Sequence, residues 1–274
     1  TPAEFAAKVQ RLGGLIAGEL KSPTLVAMQE VENTSVLDAL VNSDELKQYG
    51  YKYELLEGTD GRGIDSALLY RSDQGVTVSN AHQINARGRQ NEWGDFDPKG
   101  EKEVDVFRRP PLVVDVNIPG VEGSGDANFT VLVNHFTSAY SPNGFSTEPW
   151  RIEQAKVVKQ HVADLRKKNP EREVLVIGDL NANENSIAMK ELGSGSSPLR
   201  NLSKAYVPQG ERYTYVYRGS SEQLDHMFAT KEFMDRVNYA RVHHLNADYP
   251  GTDERPTDHD LVEARINFPP APAA

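Results

Sequence analysis

The chain has 274 residues, no cysteine and a formal net charge of −10 at pH 7. Its length is sufficient for one large domain, and the lack of cysteine excludes disulfides, thiolate catalysis and cysteine-ligated metal. The negative charge argues against non-specific coating of nucleic acid, because a polyanionic partner would need a local basic patch.

The first predicted elements are a helix and a set of short strands. Thr1 as N-cap, Pro2 at the first helical position and Glu4 three residues on predict a helix that opens with a capping box. The apolar run 24–28 predicts a buried strand that delivers Glu30 at its carboxyl end. Turn residues separate three further predicted strands, at 51–55, 64–70 and 76–84.

A long stretch at 86–110 shows little periodicity, and long loops in compact domains are often functional. It carries Arg87 and Arg89 among acidic residues, together with Trp93 and Phe96. Two interpretations stay open: a solvated face with balanced charges, or an arm that contacts a nucleic-acid strand. The two aromatic side chains would stack on bases or anchor the loop.

The second half repeats the order of strand, polar residues and helix. Strands are predicted at 112–116 and 129–133, a helix at 148–168, and an apolar strand at 174–177 that leads into Gly-Asp-Leu-Asn. Asp179 and Asn181 are two residues apart, so they project to the same side beyond the strand end. A carboxylate beside an amide suits a reaction in which one orients water and the other binds developing negative charge.

Several separate strand ends carry the same kinds of polar residue. Taken singly, each motif is more often structural, but their joint occurrence favours a site. Asp, Glu, Asn and His without Cys supply hard ligands for Mg²⁺ or Mn²⁺ and imidazoles for proton transfer, which suits metal-assisted attack on a phosphate. The motifs are Gln29-Glu30, Asn134-His135, Asp179 with Asn181, Asp225-His226 and Asp258-His259.

In this order the motifs resemble the endonuclease/exonuclease/phosphatase superfamily, the DNase I-like proteins. The resemblance covers nearly the whole chain. The family's motifs Gln-Glu, Gly-Asp-x-Asn, Leu-Asp-His and Ser-Asp-His correspond to Gln29-Glu30, Gly178-Asp179-Leu180-Asn181, Leu224-Asp225-His226 and Thr257-Asp258-His259. The stretches Val-Phe-Arg-Arg-Pro-Pro-Leu and Val-Asn-His-Phe-Thr-Ser most resemble secreted bacterial nucleases.

The resemblance implies a metal site and a pair of histidines. Glu30 would be the principal metal ligand, with Asp258 at or near the metal. His259, oriented by Asp225, would act on the attacking water or on the scissile phosphate, and His135 would contact the phosphate as its proton partner. The implied cation is Mg²⁺ or Mn²⁺, and a structural Ca²⁺ is compatible with the family.

The resemblance also implies roles around the phosphate. Asp179 would align the water, and Asn181 would hydrogen-bond a phosphate oxygen as charge builds. Arg109 sits where nucleases of the family place a phosphate-contacting arginine, and Asp65 would orient His135. Apart from the resemblance, Arg87 and Arg89 of the basic stretch are candidates to bind the nucleic-acid backbone of the substrate.

Three positions depart from the family pattern. Members normally begin with a strand that bears a metal-site Asn, and this sequence begins one helix later. Thr137 stands where many members have Lys, which removes a phosphate-binding cation. Asp260-Leu261 stands where many have x-Pro.

The fold implied is α/β, a four-layer sandwich of two packed mixed β-sheets flanked by helices, without the family's first strand. We expect one domain at 1–268, followed by a Pro/Ala tail or linker at 269–274. No apolar run is long enough to cross a bilayer and no signal peptide opens the sequence, so we expect no membrane insertion.

The function implied is a metal-dependent phosphodiesterase that hydrolyses DNA, with RNA as the alternative substrate, in a monomer that is secreted or periplasmic. A phosphatase or phospholipase of the same superfamily would share the catalytic residues and differ in its rim loops. A non-catalytic binding module on this fold is the alternative from another class, suggested by the lack of the Asn strand.

Overall fold

The computed structural model describes residues 1–141, 144–195, 198–249 and 255–270. Its helices are α1 (Pro2–Gly14), α2 (Thr34–Val41), α3 (Glu148–Lys168), α4 (Ile187–Leu192), α5 (Leu202–Tyr206) and α6 (Lys231–Met234). Its strands are β1 (Leu25–Val31), β2 (Tyr51–Leu55), β3 (Asp65–Arg71), β4 (Thr77–Gln83), β5 (Arg87–Gln90), β6 (Lys102–Asp105), β7 (Leu112–Ile118), β8 (Ala127–His135), β9 (Val174–Asp179), β10 (Arg200–Asn201), β11 (Tyr215–Tyr217), β12 (Ser220–Glu222), β13 (Asp225–Ala229), β14 (Val237–His243) and β15 (Leu261–Ile266).

Local sequence signals account for several boundaries. α1 opens with the predicted capping box, in which the Thr1 side chain accepts from the Glu4 backbone N–H and the Glu4 side chain accepts from the Thr1 backbone amine. α3 and β2 have the predicted bounds. No strand precedes β1 within residues 1–24.

Four layers form because successive side chains on each strand point to opposite faces. The three-stranded antiparallel sheet, in the order β1-β3-β2, buries Leu68 against the six-stranded sheet and buries Leu69 under α1 and α2. The six-stranded sheet is mixed and has the order β10-β13-β9-β8-β7-β4. It buries Val131 in the shared core and Leu132 under α3. The predicted four-layer sandwich is therefore confirmed.

The strand register brings distant residues to one edge of the six-stranded sheet. β8 and β9 run parallel with His135 opposite Asp179, and the antiparallel β13 places Asp225 opposite Asp179. Gly178 is required at this point, because a Cβ there would lie 2.0 Å from the Asn134 carbonyl oxygen and its φ is +131°. The absence of a side chain at Gly178 thus lets the backbones of β8 and β9 approach closely.

The stretch 86–110 contains a hairpin in place of an unstructured excursion. β5 and β6 pair antiparallel. Phe96 packs edge-on against Trp150 of α3 with ring centroids 4.9 Å apart, whereas Trp93 is 79% exposed. Phe96 therefore anchors the hairpin, and Trp93 does not.

The predicted tail begins in contact with the body of the fold. Gly125 donates its backbone N–H to the Pro269 carbonyl, and Ser124 pairs with Pro270. Residues 271–274 lie outside the described residues. None of the helices within the described ranges is both long and apolar enough to cross a membrane.

Candidate active site

A carboxylate and an amide at the end of β9 form the centre of the site. Asp179 is buried, and its Oδ1 accepts the Asn181 backbone N–H at 2.8 Å while its Oδ2 accepts the Asn181 side-chain N–H at 3.0 Å. Asn181 adopts φ +49°, a left-handed conformation that turns it back onto Asp179. Burial, followed by the charge of Asp225, raises the pKa of Asp179, which makes this carboxylate a better proton acceptor.

Both N–H groups of the Asn181 side chain are used in this arrangement. Its second N–H donates to the Phe136 carbonyl at 3.1 Å, and the same carbonyl accepts from Nη2 of Arg109 at 2.8 Å. The Phe136 carbonyl therefore ties Arg109 to the end of β9. Asn181 orients Asp179 here, and a hydrogen bond to phosphate would require it to release one of these two acceptors.

His135 lies next to Asp179 and is uncharged at neutral pH. Its Nε2 is 3.5 Å from Oδ2 of Asp179, and its side chain is almost fully buried. Burial, followed by the charges of Arg109, Arg62 and His259, lowers the pKa of His135 to about 3. Its Nδ1 has no hydrogen-bond partner among the described residues, so the predicted orientation of His135 by Asp65 is not found. Asp65 instead accepts the Gly58 backbone N–H at 2.8 Å.

His259 has the opposite charge state. Its Nδ1 is 2.6 Å from Oδ2 of Asp225, as expected for an oriented histidine, and its ring lies 4.8 Å from that of Tyr215. Burial lowers the pKa of His259, but the hydrogen bond to Asp225 and the charges of Asp225, Asp179 and Asp258 raise it to about 9. At neutral pH His259 is therefore an imidazolium with Nε2–H available to an anion.

Two buried residues hold the Asp225–His259 pair in place, and neither was predicted. The Thr214 hydroxyl accepts the Asp225 backbone N–H at 3.0 Å, and the Thr214 carbonyl accepts the Asp260 N–H at 2.7 Å. Oδ1 of Asp260 accepts three successive backbone N–H groups, at 245, 246 and 247, and Oδ2 lies 2.8 Å from Nδ1 of His244. The departure at Asp260 thus supplies the anchor for the loop that carries His259.

The remaining histidine of the motifs is structural. His226 is fully buried, with Nε2 at 2.8 Å from the Ala182 carbonyl and Nδ1 at 3.1 Å from the Asn201 amide. Thr137, the other departure, bonds to α3: its N–H and hydroxyl both contact the side chain of Gln154 at 3.0 Å. Thr137 therefore attaches the end of β8 to the helix.

The predicted metal ligands lie at the rim of the site. Glu30 lies in β1 at the register irregularity between Met28 and Val31 and has φ +59°. Its side chain is 60% exposed, and its Oε1 is 3.8 Å from Nη2 of Arg62. Asp258 is exposed beside His259. Among the described residues, no three His, Asp or Glu side chains are grouped so as to hold a metal. An exposed carboxylate that makes no hydrogen bond to another described residue still fits Mg²⁺, which is often held by one or two carboxylates, waters and substrate phosphate.

A cavity of ≈ 570 Å³ adjoins the end of β8 and carries positive charge. Arg62, Arg108 and Arg109 line it together with Tyr140 and Trp150. Sequence reasoning missed Arg62 as a site residue. Because β3 pairs with β1 through Asp65 and Val31, the loop before β3 lies at the carboxyl end of β1, and an arginine in this loop could have been placed near Glu30.

Arg62 is only weakly engaged in this cavity. Its Nε lies 3.7 Å from Asp60, its contact with Glu30 is also long, and its guanidinium donates no hydrogen bond to another described residue. A different cavity, of ≈ 320 Å³, lies at the opposite ends of β7 and β8 and is lined by Asp115 and Arg172. It contains none of the predicted site residues.

Arg87 and Arg89 do not line the positively charged cavity. Arg87 donates to Glu103 at 3.1 Å and to Asp105 at 2.7 Å across the hairpin, and Arg89 donates to the Gly100 carbonyl at 2.7 Å. These contacts favour the solvated-face interpretation of the hairpin over a role in substrate binding.

Comparisons with known proteins agree with this fold. The model of the endonuclease/exonuclease/phosphatase family matches residues 2–248. A truncated TDP2 of Caenorhabditis elegans superposes with a TM-score of 0.64 at 15% identity, over 96% of this chain and 90% of that one. D. rerio TDP2 complexed with a single-strand DNA product gives a TM-score of 0.66 at 17% identity, over 96% and 93%.

A phosphatase has a similar fold. The mannosyl-6-phosphatase of Bacteroides thetaiotaomicron superposes with a TM-score of 0.61 at 18% identity, over 96% of this chain and 92% of that one. At these identities the similarity concerns the fold alone. No curated protein matches the sequence.

Proposed function

Because the chain belongs to the endonuclease/exonuclease/phosphatase family of phosphoester hydrolases, we propose that it is a divalent-metal-dependent phosphodiesterase that hydrolyses DNA. One observation carries the proposal: His135, Asp179, Asp225 and His259 meet at one sheet edge, next to a cavity lined by arginines. Anion-binding and proton-transferring groups are thus adjacent, as phosphoryl transfer requires.

The proposed role of each side chain follows from its charge. Asp179, with its raised pKa, accepts a proton from the attacking water and is held for this by Asn181. The imidazolium of His259 donates Nε2–H to a phosphate oxygen, where negative charge increases in the transition state. Neutral His135 supplies an N–H to the same phosphate, and Arg109 contributes a fixed positive charge.

Glu30 would hold the metal, with Asp258 at or near it, and Mg²⁺ or Mn²⁺ would neutralise phosphate charge and polarise the phosphoryl group. Glu30 is exposed at the end of β1, next to the arginine-lined cavity, and the long contact with Arg62 leaves its oxygens available. A structural Ca²⁺ is also proposed, and only the resemblance to the family supports it.

The cavity supports a nucleic-acid strand as the substrate. Tyr140 is 75% exposed and shares the cavity with Trp150, so an aromatic surface lies beside the arginines. Bases stack on such surfaces while guanidinium groups bind the backbone phosphates. One neighbour in fold is a TDP2 complexed with single-strand DNA product, which supports the same substrate class.

A phosphatase is the second candidate, supported by the similarity in fold to a mannosyl-6-phosphatase. Supercoiled plasmid incubated with Mg²⁺, and then with Mg²⁺ plus EDTA, tests the proposal, and phosphate release from a phosphomonoester is measured in parallel. Nicking that EDTA abolishes supports the nuclease. Phosphate release without nicking would establish the phosphatase, and neither activity would point to a binding module.

The proposal also covers the cellular location and the oligomeric state of the enzyme. Resemblance to secreted bacterial nucleases supports a secreted or periplasmic location, and the lack of cysteine is compatible with it. Cell fractionation tests the location. We also propose that the protein is a monomer, for which light scattering coupled to gel filtration is the measurement.

A further inference from the structure

Two histidines meet on the outer side of the six-stranded sheet. His82 is on the edge strand β4, opposite Val113 of β7, and His161 is on α3, which packs over this sheet. Their ring centroids are 5.7 Å apart and the ring planes are inclined by 46°. Neither side chain belongs to the hydrogen-bonded cluster around Asp179.

The tautomer of His82 is fixed by the backbone. Its Nδ1 is 2.7 Å from the Asn80 carbonyl oxygen, which can only accept, so Nδ1 carries a proton and, in the neutral ring, Nε2 carries the lone pair. Histidines that bind metals are commonly oriented in this way, with the other ring N–H donated to a carbonyl or carboxylate. His82 is exposed, so an ion from solvent can reach it.

His161 has a nitrogen without a partner. Its Nε2 is buried and makes no hydrogen bond to any described residue. Burial, followed by the charge of His82, lowers the pKa of His161, which favours the neutral ring with its lone pair. Buried polar atoms are normally hydrogen-bonded, so this unpaired nitrogen is available to a ligand from solvent.

The spacing of the rings fits one shared ion. With a metal–nitrogen distance of about 2.0–2.1 Å, each ring centroid lies about 3.2 Å from the metal, so two rings in a tetrahedral arrangement are about 5.2 Å apart. The observed separation of the ring centroids, 5.7 Å, is close to this value, and a small shift of either ring would match it. Asp164, one turn along α3, adds negative charge near His161, although its Oδ1 accepts from Gln160.

We propose that His82 and His161 form a second metal site, for a divalent transition cation such as Zn²⁺, that links the edge strand β4 to α3. Imidazole nitrogen suits Zn²⁺, Ni²⁺ and Cu²⁺ better than Mg²⁺, so the site differs in ligand class from the carboxylate rim at Glu30. The described residues contain no third close ligand, so water completes the coordination. The role that follows is stabilisation of the edge strand.

Zinc binding by the untagged full chain tests this site. The parent, His82→Ala and His161→Gln are titrated with ZnCl₂ in a calorimeter and melted with and without the ion. Glu30→Ala is the control, because it removes the proposed Mg²⁺ ligand and leaves the histidine pair intact.

The parent and Glu30→Ala should share a binding event that both histidine variants lack. Zinc at 100 times its Kd should raise the parent Tm by about 5 °C or more. If His161→Gln fails to fold, the exposed His82→Ala decides. A zinc titration and a Tm response of His82→Ala equal to those of the parent would overturn the proposal.

Discussion

Replacing Asp225 by asparagine should move the alkaline limit of activity to lower pH. The Asp225 carboxylate accepts the Nδ1–H of His259 at 2.6 Å, and together with the charges of Asp179 and Asp258 it raises the pKa of His259 to about 9 against the effect of burial. Asparagine keeps the size and one acceptor oxygen but removes the charge. The imidazolium should therefore lose its proton at a lower pH, and with it the positive charge offered to the phosphate.

The size of the effect follows from the pKa values. A rise from the usual 6.5 to about 9 corresponds to about 3 kcal/mol in favour of the charged form. If the variant pKa returns to about 6.5, the protonated fraction at pH 7.5 falls from about 97% to about 10%, so kcat falls roughly tenfold, but by less than about twofold at pH 6. The raised pKa also stabilises the fold below about pH 6.5, and this contribution is lost as pH rises through about 9.

The measurement is kcat against pH, from pH 5.5 to 10, on a short duplex at saturating Mg²⁺. Asp38→Asn is the matched control, because Asp38 accepts from Tyr53 on an exposed surface away from the site. An alkaline limit that Asp225→Asn leaves in place would refute the reasoning. A variant that is faster than the parent at pH 7.5 would identify neutral His259 as the base that acts on water, the other role left open by the sequence.

Five further substitutions separate the other roles. Glu30→Ala should abolish Mg²⁺-dependent cleavage and the calorimetric heat of Mg²⁺ binding, and a parent-like rate would show that the metal is held elsewhere. His135→Gln should lower kcat by at least about 10²-fold with little change in Tm, since loss of one hydrogen-bond donor to a developing anion costs on that scale, whereas unfolding would indicate a structural histidine. Arg109→Ala should lower kcat and reduce the log–log salt slope of binding by about 0.9. Arg87→Ala and Arg89→Ala should change neither kcat nor the salt slope, because their guanidinium groups are occupied within the hairpin. A reduced slope for either variant would show that the arginine it replaces belongs to the substrate-binding surface.

Elements with strong local signals could be predicted from the sequence. The capping residues at Thr1 and Glu4 and the helical spacing of 148–168 act within one or two turns, and both correspond to observed helices. The hairpin at 86–110 could not be found in this way. Its register depends on cross-strand pairs such as Arg87 with Asp105 and on the packing of Phe96 against α3, which are long-range contacts.

The same distinction applies to the site. Asp179 and His135 follow apolar runs, and strand ends of a parallel pair meet at one edge, so their proximity was predictable. Arg62, Thr214 and Asp260 were missed because each acts on a segment distant in sequence. A threonine that accepts a backbone N–H from a strand, as Thr214 does from Asp225, leaves no pattern in a single sequence.

The opposite charge states of the two histidines follow from their different surroundings. His135 is buried at a strand end beside Arg109, so desolvation and positive charge both disfavour the imidazolium. His259 sits on a loop that faces Asp225, Asp179 and Asp258, so negative charge outweighs burial. Groups whose environments separate their pKa values take different roles in proton transfer. A phosphate placed between them would meet a neutral donor on one side and a cation on the other. Asp179 lies beside both, so in the proposed mechanism the attacking water would approach from the carboxylate while negative charge would collect toward His259.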